Sequence, residues 1–568
     1  MRYSKRYIIF TAILIIALLL KFNTFFERYQ TVNHFRGADL EADTWNPLIA
    51  QSVNENLLSV LIDNKEYTNE KYRFYMDDNL NIMVPVSLLR DALNCSAHVY
   101  DKETLLVEKH SKELAFTLNK TTVDVNGEKE KIVSPFIETG DEFYVSLSDL
   151  SNYLDYSYSW NMAENTAQAA DISESTALIP TRYDLRDRER VSEIRNQGTY
   201  GTCWSFAALS AMESVLLPEE SCQFSVDHMT LNNGFNLTQK DGGEYTMGMA
   251  YLASWKGPVY EKDDPYGDNK TDDTLKEVKH VQEMQIIDGK DYEKIKEAVF
   301  KYGGVQTSIY NALKSSQSRS PYFNRDTNAY CYIGTEKPNH DVVIIGWDDS
   351  YSRENFSVDL EGDGAFICQN SWGTGFGDDG IFYISYYDTN IGTHNVVYTK
   401  IEDTDNYDHI YQSDLCGWIG QLGFNKESIY GANVYTAESA ESLTAASFYA
   451  TGKDSEYQLF VVKNFENVDS LSTMEQVAAG KVSNAGYYTI PFDKAVPVEP
   501  GEKYAIILFI STPDAVHPLA IEYAADAATK NVILDDGEGY VSANGYEWAD
   551  VNTVEKCNIC LKVFSKDK

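Results

Sequence analysis

At 568 residues, 43% apolar and 24% charged, the chain is globular in composition and too long for one core, so about three or four domains are expected. Its net charge of −38 excludes nucleic acid as a partner and argues against the folded part binding an anionic membrane surface; solubility is reason enough for it. The eight cysteines (95, 203, 222, 331, 368, 416, 557 and 560) are too scattered for a disulfide framework to be needed.

Arg2, Lys5 and Arg6 precede Tyr7 to Leu20, which is apolar apart from Thr11. Positive charge before an apolar stretch is an export signal that leaves the rest of the chain outside the cell. No small-x-small cleavage pattern follows, and Phe22, Phe25 and Phe26 extend the stretch to about 20 residues. An uncleaved membrane anchor is therefore expected over residues 1–28, with a cleaved signal peptide as the competing reading. Residues 29–70 read as a linker.

Two segments then echo each other 61 positions apart, Ile82 to Leu89 with Asp91-Ala92-Leu93, and Phe143 to Leu150 with Asn152-Tyr153-Leu154. Each predicts a short strand, a helix with spaced leucines and a second strand, Ala97 to Tyr100 and Tyr158 to Trp160. Residues 71–170 resemble the small non-catalytic N-terminal domain of copper amine oxidases, which implies no copper here. A spacer lifting the next domain from the membrane is the preferred reading, a propeptide covering a cleft its rival. Residues 171–179 form a second linker.

Gln197-Gly198-Thr199-Tyr200-Gly201-Thr202-Cys203-Trp204-Ser205-Phe206 places a cysteine after a glycine-rich turn. Phe206, Ala207, Leu209, Met212, Val215 and Leu216 fit one buried helical face, so Cys203 starts a helix, where unpaired N–H groups and the dipole favour thiolate. Further on stand Asp241-Gly242-Gly243-Glu244, Asn339-His340-Asp341 before an apolar run, and Gln369-Asn370-Ser371-Trp372-Gly373. Taken in order, these segments resemble the papain-like cysteine protease family. Cys203 and His340 are 137 positions apart, within the family's range. Asn370 lies 167 from Cys203, further than usual, because the acidic stretch Asp348 to Gly364 is inserted between two strands.

The resemblance implies a catalytic domain over residues 180–400, beginning near Pro180-Thr181-Arg182-Tyr183. Cys203 is its nucleophile, His340 its acid and base, and Asn370 holds the imidazole tautomer under the shield of Trp372. Gln197 joins the Cys203 backbone N–H in an oxyanion hole. Gly242 and Gly243 imply a cleft wall along which an extended substrate pairs. Two departures stand out: Tyr200 replaces a common disulfide cysteine, and Asp341, usually a small uncharged residue, is expected either to raise the His340 pKa or to point into solvent. Thiol catalysis needs no metal or organic cofactor.

Beyond residue 408, Asn433 to Tyr435, Ala446 to Ala450, Tyr457 to Val462, Gly486 to Ile490 and Tyr504 to Ile510 read as strands between Gly, Asp and Ser turns, a β-sandwich pattern. Cys557-Asn558-Ile559-Cys560 reads as part of a terminal strand, not a zinc or redox site. Residues 408–566 resemble the lectin-like domain of some bacterial cysteine proteases, which implies cell-surface carbohydrate as a partner. The expected fold is thus multidomain α+β: a two-lobe papain-like protease, a small α+β domain before it and a β-sandwich behind. The expected function is an exported, membrane-anchored bacterial endopeptidase acting on proteins or peptides. Two alternatives stay open, a cell-wall peptide amidase and a surface adhesin whose protease-like unit only binds peptide.

Overall fold

The computed structural model describes residues 58–568 apart from 64, 69–71, 80, 111, 141, 162–164, 173–178 and 536. The export segment expected at residues 1–28 lies outside these, and no described helix is long and apolar enough to cross a membrane.

The echo in the sequence is a structural repeat. β1 (Ile82–Pro85), α1 (Val86–Ala92) and β2 (Ser96–Tyr100) match β3 (Glu142–Ser146), α2 (Leu147–Tyr153) and β4 (Tyr156–Asn161). The two copies join through antiparallel β1 and β3, with Val84 opposite Val145. Leu88, Leu89, Leu147 and Leu150 are fully buried in one core. The expected linker over residues 29–70 needs correction, since Ser59–Ile62 and Lys65–Thr68 are strands of this domain. Ser59–Ile62 pairs in parallel with Thr166–Asp171. So distant a partner leaves no local periodicity to read.

In the next unit α3 (Cys203–Leu216) is buried without a break from Trp204 to Ser214. A helix buried on every side belongs inside a domain, its polar Glu213 paired with Arg195, and α3 lies against β7 (His340–Asp348) and β10 (Asn395–Glu402). Those strands belong to a sheet that also holds β5 (His280–Ile287), β6 (Val305–Ile309), β8 (Ala365–Gln369) and β9 (Ile381–Ser385), in the order β9-β8-β7-β6-β10-β5. α4 (Tyr292–Lys301) connects β5 to β6. β7 is buried from His340 to Trp347, as its unbroken apolar run requires. The inserted stretch after β7 is a loop with one 3-10 turn, held by Phe356 and Leu360 packing near Ala365.

The sheet does not stop at the protease. β5 pairs antiparallel with β12 (Ala485–Val498), which pairs with β11 (Glu441–Ala450) of the C-terminal unit. Gly486 makes this seam possible: its φ is +147°, and a Cβ there would lie 2.2 Å from the Met284 carbonyl oxygen. Strands Ser428–Thr436, Ser455–Val462 and Lys503–Ser511 form a second, facing sheet. Cys557 and Cys560 are buried beside the last strands.

The N-terminal domain docks behind α3. His98 Nδ1 meets Glu219 Oε1 at 3.1 Å, the Tyr100 hydroxyl donates to the Arg188 carbonyl at 3.0 Å, and Arg188 pairs with Glu108 at 2.6 Å. Glu219 lies just past the C-terminal end of α3, about 20 Å from Cys203 along the helix.

Candidate active site

Cys203 opens α3, and its thiol faces the backbone N–H groups of Trp204 and Asp341. Asp341 follows His340 at the start of β7, so the thiol stands where the N-terminus of α3 meets the start of that strand. His340 Nε2 donates to Asn370 Oδ1 at 2.8 Å, and the same oxygen accepts the Ser371 N–H at 2.8 Å. With its proton held on Nε2, the ring keeps its lone pair on Nδ1. The Trp372 ring centroid lies 5.4 Å from that of His340, with the two rings tilted at 44°.

Gln197 is anchored on both faces. Its Oε1 accepts from Ser371 Oγ at 2.7 Å, its backbone N–H reaches the Ser371 carbonyl at 2.8 Å, and its own carbonyl accepts from the Tyr266 hydroxyl at 2.8 Å. Nε2 gives one hydrogen to the Tyr200 carbonyl at 2.8 Å, which leaves its second hydrogen for a ligand. Ser371 and Tyr266 hold Gln197 and were not singled out by sequence reasoning, although Ser371 stands within a segment it matched.

Gly242 has φ +83° and open space where a side chain would stand, whereas a Cβ on Gly243 would lie 2.3 Å from Trp204 Nε1. Gly243 is therefore required by packing, and Gly242 leaves the space beside its backbone clear. A Cβ on Gly201 would come within 2.9 Å of Gly242, so the turn before Cys203 and the Gly242–Gly243 segment touch through bare backbone.

Burial pushes the Cys203 thiol up to about 12, helped by the Asp341 carboxyl, and outweighs the N–H groups that favour thiolate. It also lowers the imidazole to about 4, against the Asn370 contact. Burial thus disfavours the charged form of each group taken by itself. The expectation for Asp341 is corrected: it faces inward, with Ser308 and Gln306 as partners, and its charge acts on Cys203 rather than on His340.

Residues 179–401 match the family model for papain family cysteine proteases. The catalytic domain belongs to that family. Residues 61–169 match the copper amine oxidase N-terminal domain and residues 410–565 a lectin like domain. Among solved structures, the chain is similar to the clostridial cysteine protease Cwp84 after propeptide cleavage, at 27% identity and TM-score 0.61, covering 68% of this chain and 99% of that one. The protease and lectin-like domains of Cwp84, a surface layer associated protein of Clostridium difficile, align at 26% identity and TM-score 0.59 over 70% and 91%. The viral cathepsin of Heliothis zea nuclear polyhedrosis virus is 25% identical over 56% of this chain and 78% of its own length. Cathepsin S of Bos taurus is 28% identical over 37% of this chain, and the match spans 60% of that protein. This papain-family enzyme is a cysteine-type peptidase, a hydrolase, with a lectin-like domain behind it.

Proposed function

We propose that the chain is an exported endopeptidase in which Cys203, His340 and Asn370 form the triad and Gln197 supplies the oxyanion hole. The 2.8 Å His340–Asn370 contact beside the N-terminus of α3 carries this reading. On substrate binding, His340 Nδ1 takes the thiol proton and the sulfur attacks the peptide carbonyl. The free Gln197 N–H and the Cys203 backbone N–H receive the developing oxyanion, and the imidazolium returns its proton to the leaving amine. Water then hydrolyses the thioester, with His340 again as base. Gly242 leaves room for an extended substrate along the cleft wall.

The basic and apolar pattern of residues 1–28 supports membrane anchoring with the catalytic part outside, and the surface association of Cwp84 agrees with it. The lectin-like domain supports cell-surface carbohydrate as a second partner. The docking of the N-terminal domain at the rear of α3 supports its reading as a spacer and not as a block to the cleft.

The test is incubation of the full chain with an irreversible epoxide-type thiol inhibitor under reducing conditions, beside Cys203→Ala, reading intact mass and casein cleavage. One adduct on the wild type, none on the variant, and cleavage by the wild type alone is the expected result. Equal labelling of both, or cleavage that survives Cys203→Ala, refutes the assignment.

A further inference from the structure

Asp341 has partners that the triad does not use. It is 8% exposed; its Oδ1 accepts from Ser308 Oγ at 2.7 Å and its Oδ2 from Gln306 Nε2 at 2.9 Å. The same Gln306 nitrogen donates to the Trp204 carbonyl at 3.1 Å, and Gln306 Oε1 accepts from the Tyr398 hydroxyl at 3.1 Å. Gln306 is 1% exposed, and Tyr398 is wholly buried. A single side-chain amide thus joins the residue after His340 to the residue after Cys203, across the junction of helix and sheet.

A buried carboxylate and amide are costly unless every donor and acceptor is met, and well-packed apolar residues of similar volume often serve stability as well or better. Here the polar groups meet one another where the two halves of the catalytic pair must be held in register. We propose that Gln306 and Asp341 are positioning residues that form a bridge fixing the approach of Cys203 to His340 and placing a carboxylate beside the nucleophile. This rests on the roles assigned above to Cys203 and His340.

Every element around Asp341 contributes a neighbour to its electrostatics. Cys203 comes from α3, Ser308 and Gln306 from β6, Tyr398 from β10 with His394 just before it, and Glu244 and Tyr245 from beyond Gly243. Burial raises the Asp341 carboxyl above its usual range, with Glu244 adding to this, whereas the Ser308 and Gln306 hydrogen bonds and then His394 favour its ionised form. In turn Asp341 disfavours the thiolate. The bridge therefore holds the geometry and also sets the pH at which the sulfur becomes reactive.

The experiment measures the alkylation rate of Cys203 against pH, and kcat and KM on a fluorogenic peptide, for the full chain, Gln306→Leu and the nearly isosteric Asp341→Asn, with Cys203→Ala as blank. Asp341→Asn is expected to move the acid limb of both profiles down by about half a pH unit or more. Gln306→Leu is expected to lower kcat by about ten- to a hundred-fold, with KM within about two-fold of the wild type. If Gln306→Leu does not fold, Asp341→Asn decides alone. Wild-type kcat together with an unmoved pH profile in a folded Asp341→Asn overturns the proposal. A wild type with neither Cys203-dependent alkylation nor cleavage would sink the catalytic reading itself, an outcome distinct from an active wild type with unaffected variants.

Discussion

Burial pushes the Cys203 thiol up to about 12 and the His340 imidazole down to about 4, so in the proposed mechanism the two exchange one proton only once substrate is bound. The Asn370 contact is what favours the charged imidazole, so Asn370→Ala is expected to lower kcat by about a hundred-fold with little change in KM, measured by steady-state kinetics. At Gly242 the backbone is left-handed and the side-chain position open. If substrate runs along this backbone as proposed, Gly242→Val is expected to raise KM more than it lowers kcat, on top of the strain any side chain meets at this φ. The segments holding Cys203, His340, Asn370 and Gln197 could be picked out because their residue types are the ones the proposed chemistry calls for. Asp341 was misread because its partners, Ser308 and Gln306, stand on another strand 33 and 35 positions away. No local pattern carries that pairing.

The elements that could be read were those with a dominant period. The unbroken apolar β7 and the twin strand–helix–strand units appear where the spacing of apolar residues puts them, and α3 is a helix as its spacing predicts, but buried on every side from Trp204 to Ser214 and not along one face. Missed were the strands at Ser59–Ile62 and Lys65–Thr68, and the use of β2 as a docking element. In that docking contact burial pushes His98 down to about 4, so it stays neutral and donates to the carboxylate. Burial alone would raise Glu219, but His98 and the arginines Arg90 and Arg190 overcome it and hold it at about 2. Both pKa values lie below those of the free groups. The His98 contribution is lost as pH falls from about 6.5 towards 4, and the Glu219 contribution from about 4.5 towards 2. Hydrogen exchange should therefore show β2 amides losing protection on going from pH 7 to pH 4, with Glu219→Ala already less protected at pH 7. Equal protection at the two pH values in the wild type would contradict this.

At the scale of the whole molecule, the order of domains was visible but their union was not. Alternation and turn residues reveal a sandwich, yet nothing in β12 announces that its partner is a strand of the protease some 200 positions earlier. The apolar cores also merge, since Tyr449, Tyr487 and Cys560 belong to the same buried cluster as Met284 and Tyr398. Protease and sandwich are expected to melt together in calorimetry. Gly486→Ala, forcing a Cβ against the Met284 carbonyl, is expected to cost about 1–3 kcal/mol and to split that transition in two. A single transition at the wild-type temperature would show that the seam bears no such load.

The seam also governs what happens when the catalytic unit is cut out alone. A chain ending near residue 402 would leave the N–H and C=O groups of Glu283 to Ile286 facing solvent in place of Ala485 to Tyr488. A raw strand edge of this kind recruits other strands, and the nearest supply is a second copy of the same fragment. The isolated protease should self-associate and precipitate as its concentration rises, for lack of the strand that normally ends its sheet's search for partners.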